Sequence, residues 1–340
     1  SRPNYNDWTG SADIDIAQKQ LTITGTSVVS KTYDGTTSAA IALGTVSGII
    51  VGDDVTVTPS GAFPSADVGD YQVAVTYGLT GAAAQYYLAP TADTCAASIT
   101  PAGITGITVT GYTGTYDGAP HGITITGTQP GDAILYSTDG GQTSSATPPE
   151  FFVGNVTVRV KVSRANHNDW FGAADVNIAR KQLTVTGTTV ADKVYDGTTH
   201  ATVNLGAVSG RLGTDDVNVT ATGAFASANV GTHTVTVTYT LTGADADYYI
   251  APATETFTAS ITKADPAPDT YTLAGYIGTY DGAKHGITIT GTEPGDTVQY
   301  STDGGLTYSG TVPEFFVGNK TVHVKISRPN YNDWTGSADI

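Results

Sequence analysis

The sequence predicts an all-β chain: a tandem array of four small immunoglobulin-like β-sandwich domains of two alternating types, strung as an extended rod. Three observations carry this. First, Tyr-Asp-Gly occurs four times, at Tyr33-Asp34-Gly35, Tyr116-Asp117-Gly118, Tyr195-Asp196-Gly197 and Tyr280-Asp281-Gly282, with spacings of 83, 79 and 85 residues. A period near eighty residues is the length of a small β-sandwich, not of a helical repeat. Second, apolar and polar residues alternate along many short stretches, such as Tyr71-Gln72-Val73-Ala74-Val75-Thr76-Tyr77 and Val156-Thr157-Val158-Arg159-Val160-Lys161-Val162. Period-two alternation buries one face of a strand and wets the other. Third, no segment sustains the i, i+3, i+4, i+7 pattern with caps that a helix requires.

A longer period overlies the short one. Lys19-Gln20-Leu21 returns as Lys181-Gln182-Leu183, shifted by 162, and Phe151-Phe152-Val153-Gly154-Asn155 returns as Phe315-Phe316-Val317-Gly318-Asn319, shifted by 164. Two domain types therefore alternate. Residues 1–14 repeat letter for letter at 327–340. Residues 1–17 are thus expected to be the terminal strand region of a preceding type-two domain, in a piece cut from a longer array. Residues 18–100 form the first type-one sandwich and 101–179 the first type-two sandwich. Residues 180–262 and 263–340 repeat the pair, the last with a truncated end. About seven strands fit in each, separated by turn signals such as Gly52-Asp53-Asp54, Pro130-Gly131-Asp132 and Asp139-Gly140-Gly141.

The connections read as stiff. Residues 12–21 look like one nearly continuous strand leading from one domain into the next. The other junction carries Pro101, or Pro266 and Pro268. Domains this small bury only about 60–65% of their unfolded surface and need help from neighbours. Four domains in line span on the order of 150 Å at strand-plus-turn lengths.

Composition narrows the function classes. The formal charge is −16, from 15 basic and 31 acidic residues, while only 14% of residues are charged. Acidity argues against nucleic acid and anionic membranes as partners. No apolar run is long enough for membrane insertion in this segment. The single Cys95 excludes an intrachain disulfide, and it occupies the slot that Phe257 fills in the second copy, which marks an apolar packing position.

Tyr-Asp-Gly reads as a structural turn. Glycine accepts positive φ, the Asp carboxylate accepts nearby N–H groups, and the Tyr ring anchors on the sandwich with its hydroxyl at the rim. One carboxylate per domain is too few for calcium, which takes six to eight oxygens. Better calcium candidates are Asp13 and Asp15, two apart on an expected strand at a junction, with Asp175 in the middle copy. Asp53-Asp54 and the matching Asp215-Asp216 stand in a turn. Asp15 becomes Asn177 in the middle copy, which weakens the first cluster. No cofactor is called for.

The sequence lacks His-Glu-x-x-His, Gly-x-Ser-x-Gly, a phosphate loop and Cys-x-x-Cys. Only His121 and His285 occupy matching slots. His167 stands where Tyr5 and Tyr331 stand, and His233 where Tyr71 stands. An isopeptide cross-link from Lys161 or Lys325, assisted by Glu150 or Glu314, competes with a plain outward-facing strand. The sequons at Asn155, Asn218 and Asn319 arise readily by chance in a Thr-rich chain.

Lys31-Thr32-Tyr33-Asp34-Gly35-Thr36-Thr37 and Lys193-Val194-Tyr195-Asp196-Gly197-Thr198-Thr199 resemble the YDG-type repeat domain of very large bacterial surface proteins. Tyr116-Asp117-Gly118-Ala119-Pro120-His121-Gly122, followed by Tyr136-Ser137-Thr138-Asp139-Gly140-Gly141, resembles the MBG-type Ig-like domain, as do the matching stretches from Tyr280 and Tyr300. The resemblance covers nearly the whole chain. It implies an extracellular, non-enzymatic stalk or fibre of an adhesin-like protein, at the cell surface or secreted, and supplies no catalytic residues. The expected partners are neighbouring repeats of the same chain, with lateral self-association or host surface ligands beyond them. Two other readings stand beside it: a glycan- or protein-binding array, in which Trp8, Trp170 and Trp334 stack on sugars rather than cap a core, and an accessory region of a large secreted hydrolase.

Overall fold

The computed structural model describes residues 2–340. Nearly all regular structure is strand; the described helical turns are the 3-10 turns Ala84–Tyr86 and Ala246–Tyr248. The chain divides into two compact units. The first runs up to Thr113 and resumes over Pro120–Asn177. The second comprises Ile178–Ile340 together with the short segment Gly114–Ala119.

In the first unit, one sheet has the order Lys31–Thr32, Asp93–Thr100, Gly69–Thr80, Thr56–Gly61. Its long strand shows the expected alternation: Val73, Val75 and Tyr77 are buried and the residues between them are exposed. These side chains meet Leu21, Val28, Phe63, Tyr87, Cys95 and Ile99 in one core. The opposing layer consists of short ladders, Thr22–Thr24 with Thr45–Ser47 and Ser27–Val29 with Ala40–Ala42, and a parallel pair, Lys19–Gln20 with Tyr87–Leu88. Ten strand segments occupy the stretch expected to hold about seven. Breaks explain the difference: Gly25 at φ 82° interrupts one edge, where a residue with a Cβ is disfavoured. Leu21 is 1% exposed; a fully buried leucine of this kind stabilises its core by about 2–5 kcal/mol against alanine.

The second unit repeats this arrangement in a five-stranded sheet of order Lys193–Val194, Glu255–Thr262, Gly231–Thr242, Asn218–Phe225, His200–Ala201. In the first unit the fifth strand is reduced to the single bridge Ser38 to Ala62.

The type-two sequences form a second kind of sheet. In the first unit, Gly154–Ser163 pairs with Ala133–Ser137 in antiparallel register. In the second, Thr321–Ser327 lies between Thr297–Ser301 and Trp334–Asp339. Arg164 clamps Asp132 through Nε and Nη2 at 2.7 and 2.8 Å, and Arg328 clamps Asp296 at 2.6 and 3.0 Å. Both aspartate side chains are 2% exposed. The guanidinium hydrogen bonds hold both carboxyls down at about 2.

The continuous strand expected over residues 12–21 is not present. Residues 9–18 carry no strand, and Trp8, Ile14 and Ile16 are 84–90% exposed. The matching stretch Trp170–Ala179 is a strand, with Val176 and Ile178 buried. The same pattern thus becomes a strand only where a neighbouring strand completes the ladder.

Candidate functional site at the domain junctions

The four Tyr-Asp-Gly turns share their backbone geometry. Gly35, Gly118, Gly197 and Gly282 take φ between 74° and 91°, where only glycine is unstrained. In each, the Asp Oδ1 accepts the N–H two residues on: Thr36, Ala119, Thr198 and Ala283, at 2.9–3.0 Å. In the type-one turns a lysine reinforces this. Lys31 Nζ lies 2.8 Å from Asp34 Oδ1 and donates to the Thr36 carbonyl at 2.7 Å, and Lys193 does the same for Asp196 and Thr198. These hydrogen bonds hold the Asp34 and Asp196 carboxyls down at about 2. The lysine ammonium groups also stand 5.5 Å above the rings of Phe63 and Phe225. In a type-two turn, His285 replaces the lysine, with Nε2 3.0 Å from Asp281 and its ring stacked on Tyr276 at 3.6 Å. His121 stacks on Tyr112 in the same way, at 3.9 Å.

What the tyrosines do is less local. Tyr33 N donates to Thr100 O at 2.8 Å, Tyr195 N to Thr262 O at 2.9 Å, and Tyr116 N to Ala179 O at 2.9 Å. Each acceptor ends a long strand, at the point where the chain leaves that sheet. The tyrosine is therefore held at the exit of its own sequence repeat, where the next repeat begins. Tyr33 lies on its own core and also meets His167 edge-on, at 5.4 Å. Tyr195 meets Tyr331 in the same way at 5.4 Å. Tyr116, inside the second unit, packs on Tyr248 at 4.9 Å and edge-on to Tyr249 at 5.5 Å, and its hydroxyl donates to Asp215 Oδ2 at 2.9 Å. Burial, with the Asp215 hydrogen bond, pushes the Tyr116 hydroxyl pKa up. Beyond the expected anchoring on the sandwich, three of the four tyrosines also reach across to the following repeat.

An asparagine completes the junction inside each unit. Asn166 adopts φ 61°, and its side chain reaches the preceding type-one segment while its carbonyl holds the start of its own segment. Its carbonyl accepts Ala102 N at 3.1 Å, its Oδ1 accepts Val68 N at 3.0 Å, and its Nδ2 donates to Asp67 Oδ1 at 2.8 Å. Asn330, at φ 69°, accepts Ala264 N at 3.2 Å and Val230 N at 2.8 Å and donates to Asn229 Oδ1 at 3.0 Å. Sequence reasoning missed this staple. Its only signal was that Asn4, Asn166 and Asn330 match while the next residue varies among Tyr5, His167 and Tyr331.

The calcium candidates are not gathered. Among the described residues no group of three His, Cys, Asp or Glu side chains is placed to hold a metal ion. Asp13 and Asp15 are exposed and outside any strand. Asp175 accepts Thr157 Oγ1 at 2.6 Å, Asp54 accepts Ala82 N at 3.0 Å and Asp216 accepts Ala244 N at 3.1 Å. Asp53 accepts the Tyr87 hydroxyl, and Asp215 those of Tyr116 and Tyr249. The acidic turn Asp53-Asp54 is therefore bonded to the protein rather than simply solvated. Lys161 pairs with Asp169 at 2.7 Å, both about 40% exposed, which does not suit an isopeptide bond. Cys95 Sγ is buried against Thr26 O at 3.4 Å, and burial pushes its thiol pKa up. Trp170 packs on the Ile104 core and Trp334 on Tyr271 at 5.3 Å, each ring lying over a glycine two residues on, where a Cβ would collide with it. Trp8 is 90% exposed.

No curated protein matches the chain by sequence. Among solved structures, the chain is similar to a tetra-tandem repeat from the extending region of a large adhesion protein, at 16% identity and TM-score 0.28, over 94% of this chain and 98% of that one. It is also similar to the protocadherin GammaB4 extracellular domain, at 10% identity and TM-score 0.24, over 96% of this chain and 66% of that one. Drosophila N-cadherin EC1-4 is similar at 8% identity and TM-score 0.23, over 86% and 92%. These are low similarities, and the all-β assignment rests on the strands and their registers. Residues 17–95 and 179–257 match the YDG domain family, so a YDG domain is found in two copies, separated by residues 96–178.

Proposed function

We propose that this chain is a non-enzymatic spacer: a stalk or fibre region of a large secreted or cell-surface adhesin-like protein, which projects or connects other domains. In this reading the segments 101–179 and 263–340 are MBG-type Ig-like domains between the YDG domains. The observation that carries it is the use made of the repeated polar side chains. Tyr33, Tyr116, Tyr195, Asn166 and Asn330 all bond or pack onto a neighbouring repeat. Side chains so placed set the orientation of one domain on the next, which is what reach and stiffness require. The packing of Trp170 and Trp334 on their own domains disfavours the sugar-stacking alternative. Among the described residues no helix is long and apolar enough to cross a membrane.

Small-angle scattering of the full chain tests the spacer reading: it expects a maximum dimension well above about 100 Å, from four strand-length domains in line. A compact particle overturns it, as does selective, saturable binding in a glycan screen. Thermal unfolding with and without a chelator is expected to coincide, since among the described residues no carboxylate cluster awaits calcium. A large shift would restore a metal role.

A further inference from the structure

Both YDG domains carry the same tyrosine–aspartate socket, and they differ in what stands on it. In the second unit, Tyr249 Oη donates to Asp215 Oδ2 at 2.5 Å and accepts Leu212 N at 3.0 Å. Tyr116 adds its own hydroxyl to the same oxygen and lays its ring on Tyr248. Gly118 brings the turn so close that an added Cβ would stand 3.2 Å from Leu212 Cδ1. In the first unit, 162 residues earlier, Tyr87 bonds Asp53 and accepts Ile50 N at 3.0 Å. The framework is the same, but Ile50 is 53% exposed and Tyr86 62% exposed. The two line an open depression with Asp53, Tyr87 and residues 16–19.

The complementary piece is also present. Tyr280-Asp281-Gly282 has the backbone of Tyr116-Asp117-Gly118, with Gly282 at φ 89° against 91°. Its tyrosine is 64% exposed beside Phe316 and Val317, which are 52% and 71% exposed. An exposed tyrosine among exposed apolar side chains, and an exposed aspartate beside tyrosines, match in apolar character and in hydrogen-bonding sense.

We propose that these are two halves of one head-to-tail interface, and that its occupant is a second copy of this chain. The Tyr280 ring of one copy seats on Tyr86 and Tyr87 of the next, and its hydroxyl donates to Asp53. The Tyr116 contact in this same molecule is the template. The chain path allows it: residues 1–14 of the second copy duplicate residues 327–340 of the first. Residue 340 of one copy can therefore lead directly into Asp15 of the next, and Ala17 then stands where Ala179 accepts Tyr116 N. The interface holds for a spacer and for a binding array alike, so its test is separate from the scattering and glycan experiments.

Hydrogen exchange on the full chain and on a tandem chain tests it. In the tandem, Ile340 of one copy is joined to Asp15 of a second. In the single chain, amides over 50–54 and 279–283 should exchange faster than their counterparts at 212–216 and 115–119. In the tandem, both stretches facing the new junction should slow by about tenfold or more, since burial suppresses local opening. Tyr280→Ala in the first copy, or Asp53→Ala in the second, should restore fast exchange. Tyr280 is exposed, so its loss leaves folding intact; Asp53 also accepts the Tyr87 hydroxyl, so the Tyr280 variant is the deciding one, and Tyr280→Ala in the second copy serves as the silent control. Unchanged exchange in the tandem, or slowing of one face alone, overturns the proposal.

Discussion

Tyr116 and Tyr280 stand 164 residues apart in the same tripeptide, with the same glycine conformation and the same Asp-to-backbone hydrogen bond. Yet Tyr116 is 3% exposed and Tyr280 is 64% exposed. Local sequence sets the turn in both. Burial of the ring is set by whether a YDG socket lies against it. The tripeptide is thus a turn by its Asp-Gly and a connector by its Tyr, and only the first property is complete within a single repeat.

That contrast is broken most sharply by removing the ring. Tyr116→Ala is expected to cost about 3–5 kcal/mol, the range for truncating a large buried aromatic. Tyr280→Ala should stay within about 0.5 kcal/mol, as exposed positions do. Denaturant unfolding of the two variants decides it, and equal losses would mean that the Tyr116 contact is not stabilising.

A smaller effect is expected at the asparagine staple. Asn166→Ala removes two side-chain hydrogen bonds and forces a Cβ residue without a polar side chain into positive φ, for a loss of about 1–3 kcal/mol. Asn330→Ala should behave alike. Asn4 has φ 72° but lies exposed outside any strand, so Asn4→Ala should lose less, with only the positive-φ strain of about 1 kcal/mol at stake.

The pH response is the gentlest probe. Asp132 and Asp296 hold pKa values of about 2 through Arg164 and Arg328, against roughly 4 for a free aspartate. A folded-state pKa below the unfolded one stabilises fully above the unfolded value and is lost as pH falls through the folded value. The urea midpoint should therefore be level from pH 7 to about 5 and drop between about 4 and 2. Replacing both arginines by glutamine should lessen that drop without abolishing it, since Asp34 and Asp196 are lowered independently of the arginines; an unaltered acid limb would place its source elsewhere.

Much of the fold was legible because it obeys period-two alternation. The strand Gly69–Thr80 buries Val73, Val75 and Tyr77 as its pattern requires. Residues 8–17 show the limit: they carry the pattern of Trp170–Ala179, but alternation records a strand's faces and not whether a partner strand exists. The junctions were least legible. Asp67 and Asn166 meet across 99 residues, and Asn229 and Asn330 across 101. Such pairings depend on how two sheets are joined, which no local period encodes. The acidic turn at Asp215 was noticed for its charge, whereas its carboxylate serves as the acceptor for two tyrosines.

The central claim is that junction side chains fix one domain on the next, and within the first unit it reduces to a distance distribution. Spin labels at Thr58→Cys and Arg159→Cys sit on exposed strand positions of the two domains, while buried Cys95 stays unlabelled. Pulsed electron resonance should give one narrow distance peak in the otherwise native chain and a clearly broader one when Asn166→Ala is added. A broad distribution in the native chain, or a narrow one unchanged by Asn166→Ala, would contradict the account.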